Sequence, residues 1–300
     1  LLEYLKNKHR KSICEVGVGS GFVSSGIARK YPKHSYYGTD INADAIRYTK
    51  EQFSKSGKEI ELLKTDILEG TNRKFDLIFF NTPYLPLEKG EKYEELDMKD
   101  RAIYGGKKGY EIIERFILSV NDHLGERAEA IILFSSHSGL DHILKVLDDN
   151  CFKHEIIAKK TIFFEELYVV KFSRTKILDE ISSLGVYDIE YMTKGKHSKI
   201  LSGKYKGEDV IIKTGEEKDI QIEEIFLKRL QEHDFTPELF VSKKEYVIME
   251  QLKGVQIRDY LKEHHSQKCV REVFNNILKV TQSLDRLGLN KFELTNPSNH

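Results

Sequence analysis

Cysteine is scarce in this sequence: three in 300 residues, Cys14, Cys151 and Cys269, far apart along the chain. No Cys-x-x-Cys pair and no Cys/His cluster at metal-ligand spacing occurs, so no metal site is expected and a reduced, cytoplasmic setting is the simplest expectation. Net charge is also absent, with 48 lysines and arginines against 48 aspartates and glutamates. The balance holds locally, with 28 basic and 27 acidic residues in 1–175. Neither half is basic in bulk, so nucleic acid is not the expected partner. No apolar run reaches membrane-spanning length and no signal peptide is visible, which argues against a membrane partner. Internal repeats and low-complexity tracts are missing too.

What remains is a globular composition, 39% hydrophobic and 32% charged, long enough for two domains. The opening residues LLEYLKNKHRK read as the middle of an uncapped helix, so a missing N-terminus is expected. From Ser12 to Ser173 short apolar segments alternate with amphipathic ones. Strands are predicted over 12–18, 35–40, 59–66, 75–81, 128–136 and 166–172, and helices over 22–30 and 43–54. The alternation predicts an α/β, doubly wound sheet with an antiparallel hairpin at one edge. From about residue 176 the style changes. LSGKYKGEDVIIKTG reads as two strands around Gly207, EYVIMEQL as a third, and helical spacing recurs at Ile222, Ile225, Phe226 and Leu230 and again over 273–287. The expected domains are 1–175 and 176–300.

Chemistry concentrates at predicted strand ends. EVGVGSG closes the first strand with glycines at 17, 19 and 21, which permits a tight turn and close backbone approach to a ligand. A dinucleotide fingerprint would put its third glycine one residue later, so a nicotinamide cofactor is not indicated. Asp40 ends the second strand, where a carboxylate can accept from ribose hydroxyls. Asp66 ends the third, where it can take an adenine amino group; the bland alternatives are a helix-cap acid and a turn residue. Glu15, Asp40, Asp66 and Asn81 thus fall at successive carboxyl ends, where open α/β sheets bind ligands.

These motifs resemble the class I S-adenosylmethionine-dependent methyltransferases, whose sheet is Rossmann-like. Asn81-Thr82-Pro83-Tyr84 is similar to the Asn-Pro-Pro-Tyr motif of the amino-methylating kind. IYGGKKGYEIIERFI (103–117) looks like the HemK family of protein-glutamine methyltransferases, archaeal and eukaryotic branch. The resemblance covers roughly residues 1–175. It implies S-adenosylmethionine at Glu15, Gly17, Gly19, Gly21, Asp40, Asp66, Ile67 and Asn81, and catalysis by Asn81, Thr82, Pro83 and Tyr84. It also implies a peptide chain release factor as substrate, methylated in its Gly-Gly-Gln loop, and a small zinc-binding activator subunit docked on an exposed sheet edge. The strand Ala130–Phe134 is one candidate for that edge.

An amide nitrogen is a poor nucleophile because its lone pair is delocalised. The Asn81 side-chain oxygen and the backbone carbonyl of Thr82 can each accept one of its N–H groups and hold it in line for attack. Pro83 fixes the turn, and Tyr84 offers an aromatic face to a planar amide. Thr82 stands where the family usually has proline, a change the backbone-carbonyl role permits. The long loop from Leu85 to Gly106, with six acids, reads either as a lid or as a solvated insertion.

Residues 192–300 resemble the small lobe of protein kinases, atypical RIO-like ones above all. VIIK (210–213) matches the strand-three lysine signature, so Lys213 would meet nucleotide phosphates and Glu223 would pair with it. The resemblance is incomplete: Gly195 alone remains of the loop glycines, Glu293 stands at the catalytic aspartate position, and Asn299 is one residue late. Nucleotide or protein binding is therefore expected there rather than phosphotransfer. Two rivals stand beside glutamine methylation. One is methylation of adenine amino groups, served by the same motif; the other is a methyltransferase–pseudokinase scaffold acting by binding.

Overall fold

The computed structural model describes Leu5 and residues 12–195, 198–233, 235–255, 257–264 and 266–286. Glu293 and Asn299 lie outside them, as does most of the opening segment. The described chain forms two compact units, Leu1–Tyr191 and Met192–His300.

The first unit is built on seven strands: β1 (Ser12–Val16), β2 (Ser35–Asp40), β3 (Glu61–Lys64), β4 (Phe75–Asn81), β5 (Leu124–Ser135), β6 (Phe152–Ile162) and β7 (Glu165–Arg174). Their order in the sheet is β3-β2-β1-β4-β5-β7-β6. The pairs β3–β2, β2–β1, β1–β4 and β4–β5 are parallel, and β7 runs antiparallel to both β5 and β6. This is the Rossmann-like arrangement expected for 1–175. The central strands are apolar without alternation because both faces are covered: Leu77, Ile78, Phe79 and Phe80 of β4 are all buried. Helices α1 (Phe22–Lys30), α2 (Ala43–Lys55), α3 (Glu111–Val120) and α4 (Leu140–Asp149) cover the sheet. α3 buries a stripe of Ile112, Ile113, Phe116, Ile117 and Val120, and Phe116 packs edge-on to both Phe80 and Phe172. Asn42 caps α2 by accepting from the Asp44 N–H at 2.9 Å.

β6 has no separate range among the predicted elements, although the expected antiparallel edge hairpin takes in residues 155–172, where β6 and β7 pair. It is an edge strand whose exposed residues carry little apolar signal, with Lys153, Lys159 and Lys160 among its charges. The strand Ala130–Phe134 is not an edge. It lies in β5, hydrogen-bonded to β4 on one side and β7 on the other, and Ala130, Ile132 and Phe134 are fully buried. The sheet's edges are β3 and β6.

Helix α5 (Lys176–Ser183) stays with the first unit rather than opening the second. The reason is Arg174, whose nearly buried guanidinium donates to Asn121 Oδ1 at 2.9 Å and Leu124 O at 2.9 Å and meets Asp179 of α5 at 3.3 Å. Leu178 and Ile181 are buried beside it.

The second sheet contains β8 (Tyr187–Lys194), β9 (Ser198–Tyr205), β10 (Glu208–Gly215), β11 (Leu239–Ser242) and β12 (Tyr246–Glu250), in the order β11-β12-β10-β9-β8. Tyr205 pairs with Glu208, so Lys206-Gly207 is a two-residue hairpin loop. Both loop residues have positive φ, as the tight turn that matches strand twist requires. Helix α6 (Glu217–Leu230) packs on the sheet through Ile220 and Leu227, against Val247 and Met249. Of the four positions with helical spacing, Ile222 and Ile225 are exposed, and Phe226 and Leu230 are half-buried. Both periodicities fit a helix, and strand geometry selects the other face. Helices α7 (Ile257–Glu263) and α8 (Gln267–Arg286) follow. Among the described residues no helix is long and apolar enough to cross a membrane.

Candidate active site

A cleft enclosing about 910 Å³ of empty space, mouth included, opens at the carboxyl ends of β1 to β4. Gly17, Gly19, Asp40, Asp66, Ile67 and Asn81 all line it, so the structure gathers six of the predicted residues in one place. Pro83 joins them at the far wall.

Each arrives there for a local reason. Gly17, Gly19 and Gly21 hold φ of +62°, +52° and +67°, a curl that turns the chain from β1 into α1. The curl brings the Gly19 N–H to Asp40 Oδ2 at 2.8 Å. Asp40 Oδ1 accepts from the Asn42 N–H, also at 2.8 Å. Two backbone donors therefore fix this carboxylate, which keeps further acceptor capacity toward the cleft. Asp66 Oδ2 accepts from Arg115 Nη2 of α3 at 2.7 Å. Ile67, with φ +50°, is held by Thr39 Oγ1, which donates to its carbonyl at 2.6 Å.

Glu15 and Gly21 do not line the cleft. Glu15 is buried at 3% exposure, and both the N–H and the hydroxyl of Ser24 donate to its Oε2. It ties the end of β1 to the first turn of α1. Burial pushes its pKa up to about 7 against the downward pull of the Ser24 donors, and the Asp40 carboxylate adds a smaller upward push. Gly21 packs on α2, where a Cβ would lie 2.6 Å from Thr49 Cγ2.

At the acceptor end, Asn81 is exposed and completes β4, opposite Leu133 of β5. Thr82 is 3% exposed. Its N–H and its Oγ1 both donate to the Leu133 carbonyl, at 3.1 and 2.8 Å. Threonine is thus more than a tolerated replacement for proline, which could make neither bond. Its side chain points into the sheet, leaving only its main chain for any acceptor role. Tyr84 lies outside the cofactor cleft. Its N–H donates to Ile103 O at 3.1 Å, and its carbonyl accepts from Ser138 Oγ at 2.9 Å. Burial raises the Tyr84 phenol pKa, with the Glu165 carboxylate adding to the rise.

The Gly-Gly-x-x-Gly segment braces this turn. A Cβ on Gly105 would lie 2.4 Å from Pro83 O and 2.5 Å from Gly109 O, and one on Gly109 would lie 2.4 Å from Tyr84 O. Only glycine lets the two backbones approach so closely. Gly105 N–H donates to Leu85 O at 2.9 Å, and Leu87 N–H to Gly106 O at 3.0 Å. The spacing of these glycines is visible in the sequence, but the turn they brace is not.

The acidic loop between the two motifs forms one wall of the cleft. Tyr93, Met98, Arg101 and Ala102 line it, so this part of the loop packs on the cleft. Arg101 stacks 5.5 Å over the Tyr93 ring and donates from Nη2 to Glu94 O at 3.1 Å. Sequence reasoning counts Arg101 among the loop's basic residues but assigns none of these four to the cleft. In the second unit, Lys213 Nζ donates to Glu223 Oε2 at 2.6 Å, so that predicted pair forms. Among the described residues no group of His, Cys, Asp or Glu could hold a metal.

Sheet order and cleft together define an α/β methyltransferase with a nucleoside-type cofactor. The methyltransferase small domain family matches residues 1–96. A protein of Methanocaldococcus jannaschii assigned by name as a protein N5-glutamine methyltransferase is 36% identical over 170 residues, covering 57% of this chain and 85% of the relative. Methyltransferase HEMK2 of Homo sapiens is 31% identical over 172 residues, covering 54% of this chain and 78% of the relative. The release factor glutamine methyltransferase of Koribacter versatilis is 28% identical over 130 residues, and this chain spans 46% of its length. Among solved structures, the Mtq2–Trm112 complex of E. cuniculi, described as responsible for methylation of the eRF1 translation termination factor, matches with a TM-score of 0.45 and 22% identity over 58% of this chain and 91% of that one. The chain belongs to the protein N5-glutamine methyltransferase family.

Its cofactor is S-adenosylmethionine, and the cleft fits that group. The backbone is bare at Gly19, where a Cβ would meet nothing nearer than 3.9 Å. A fixed carboxylate stands beside it at Asp40, and apolar walls of Ile41, Ile67, Phe80 and Met98 follow.

Proposed function

We propose that this chain methylates the side-chain amide of a glutamine in a peptide chain release factor. The observation that carries the reading is the position of Asn81. It ends β4 exposed, on the wall of the cofactor cleft, in a turn braced by glycine-only contacts. The relatives' names support the substrate class. When bound, S-adenosylmethionine supplies an electrophilic methyl group on a sulfonium.

In this reading Gly17 and Gly19 pass the backbone close to the cofactor, Asp40 accepts from the ribose hydroxyls, and Asp66 and Ile67 border the base. Arg115 orients Asp66. Asn81 Oδ1 accepts one N–H of the substrate amide and the Thr82 carbonyl the other, which holds the nitrogen lone pair toward the methyl. Thr82 sets the height of that carbonyl by its two bonds to Leu133, Pro83 limits the turn, and Tyr84 flanks the planar amide. Glu15 acts through Ser24 on the start of α1. No general base is required, because the amide proton becomes acidic once the methyl is attached.

A small zinc-binding activator subunit belongs to the same reading, and a strand-adding partner would have to use β3 or β6. The second unit is proposed to be a kinase small-lobe-like module of a cytoplasmic protein, one that binds nucleotide or protein rather than transferring phosphate. Its five-stranded sheet, antiparallel from β9 to β11, its helix α6 and the Lys213–Glu223 pair support this.

The test is incubation of the chain with labelled S-adenosylmethionine and either release factor or DNA, with mass spectrometry to locate the methyl. Label on a release-factor glutamine supports the reading. Label on adenine, or on neither when a small zinc-binding activator subunit is also supplied, removes it.

A further inference from the structure

Three serines crowd the turn that follows β5, and each hydroxyl has a different partner. Ser135 Oγ accepts from the His137 N–H at 3.1 Å and closes the short helical turn Ser136–Ser138. Ser136 Oγ accepts from the Glu166 N–H at 3.2 Å, a bond to β7. Serines at the start of a helix commonly cap it, yet α4 has no such cap: its N-cap is Gly139, without a side-chain bond. Ser138 is only 1% exposed, and its buried hydroxyl needs a partner. It finds one far away in the chain, donating to the Tyr84 carbonyl at 2.9 Å.

That carbonyl belongs to the turn that carries Asn81. On another side Gly109 approaches it so closely that a Cβ would lie 2.4 Å from the oxygen. Two residues upstream, the Thr82 N–H and hydroxyl hold Leu133 O at 3.1 and 2.8 Å. The segment from Leu133 to Ser138 therefore grips the Asn81–Tyr84 turn at two points, taking two hydrogen bonds from Thr82 and giving one to Tyr84. Between the grips stands Pro83, whose fixed φ leaves the stretch little freedom to absorb a shift. A displacement at the Tyr84 carbonyl is passed on to the Thr82 peptide, the group assigned to hold the substrate amide.

We infer that Ser138 is a positioning residue for methyl transfer: its hydroxyl holds the Tyr84 carbonyl and so fixes Asn81 and the Thr82 carbonyl relative to the cofactor cleft. The inference rests on the glutamine-methylation reading and adds a residue that lies outside both sequence motifs. Ser138 touches neither substrate nor cofactor in this role and acts through the backbone. Placement matters because a shift of about 1 Å at the reacting atoms can cost on the order of 100-fold in rate. Loss of one neutral hydrogen bond at one end of the turn is expected to cost about ten-fold.

The experiment is single-turnover methyl transfer by the full chain to release factor, with a small zinc-binding activator subunit supplied, for wild type, Ser138→Ala, Ser138→Cys and Ser136→Ala. KM for release factor is measured alongside, cofactor affinity by calorimetry and folding by thermal unfolding. Ser138→Ala is expected to transfer about ten-fold more slowly, with KM and cofactor affinity within about three-fold of wild type. Ser138→Cys keeps the shape with a weaker donor, so its rate is expected to fall between the two at wild-type melting. Ser136→Ala removes an exposed hydroxyl from the same turn without touching Tyr84, and is expected to transfer as wild type does. A Ser138→Ala rate within about two-fold of wild type overturns the assignment, as does a loss shared equally by cofactor affinity or by Ser136→Ala. If Ser138→Ala fails to fold, Ser138→Cys decides, and a wild-type rate there overturns the assignment. Each of these results leaves glutamine methylation intact. Absence of transfer by wild type overturns the methylation reading, and the role of Ser138 with it.

Discussion

Glu15→Gln is a sharp probe of the wiring behind the cofactor loop. The wild-type carboxyl is buried, with a pKa raised from 4.5 to about 7. A carboxyl raised by folding binds its proton more tightly in the native state, so stability is fullest below pH 4.5 and falls as pH rises toward 7. At 1.36 kcal/mol per pKa unit, the loss between pH 5 and pH 8 comes to about 2–3 kcal/mol. Glutamine has nearly the same shape, can accept from Ser24 and does not titrate. The assay is urea denaturation of the full chain at pH 5 and pH 8, followed by far-ultraviolet circular dichroism. Comparing variant with wild type at each pH cancels the other titrating groups. The variant is expected to gain about 2–3 kcal/mol relative to wild type at pH 8 over its position at pH 5. A constant difference between the two proteins at both pH values would show that Glu15 is ionised in the fold, and that the Ser24 donors outweigh burial.

Three further outcomes are expected. Asp40→Ala should weaken S-adenosylmethionine binding by about 1–3 kcal/mol, read by calorimetry, since it removes the fixed acceptor facing the cleft; unchanged affinity would remove Asp40 from the site. Gly105→Ala should cost about 1–3 kcal/mol of stability through overpacking, with a drop in methyl transfer, because its methyl would collide with Pro83 O; a variant with wild-type melting and turnover would show that the turn is not braced there. Thr82→Pro should lower stability by on the order of 1–3 kcal/mol, as both donors to Leu133 O are lost; equal or greater stability would show that the family's usual proline fits this turn better than the bonded threonine.

The sheet was legible in the sequence where burial on both faces forced apolar runs, as over Leu77–Phe80 of β4 and Ala130–Phe134 of β5. Its edge was less so, because β6 faces water and carries charges where an apolar signal would otherwise stand. The cofactor residues could be read because short side chains and carboxylates must sit at strand ends to reach a ligand. Glu15 belongs to the same motif, yet nothing in its spacing tells whether the carboxyl faces the cleft or Ser24. Tyr93, Met98 and Arg101 were hidden for a different reason: a long loop has no periodicity from which its packing can be inferred. The α6 face in the second unit had two compatible stripes, and only the sheet beneath decides between them.

The most direct test of the account is transfer by Asn81→Ala. Radiolabelled S-adenosylmethionine and release factor are supplied, transfer to glutamine is counted, and cofactor binding is measured on the same preparation. Asn81 is assigned to the acceptor nitrogen in the transition state, so turnover should fall by on the order of 100-fold or more with cofactor affinity kept within a few-fold. Turnover close to wild type in Asn81→Ala would contradict the mechanism.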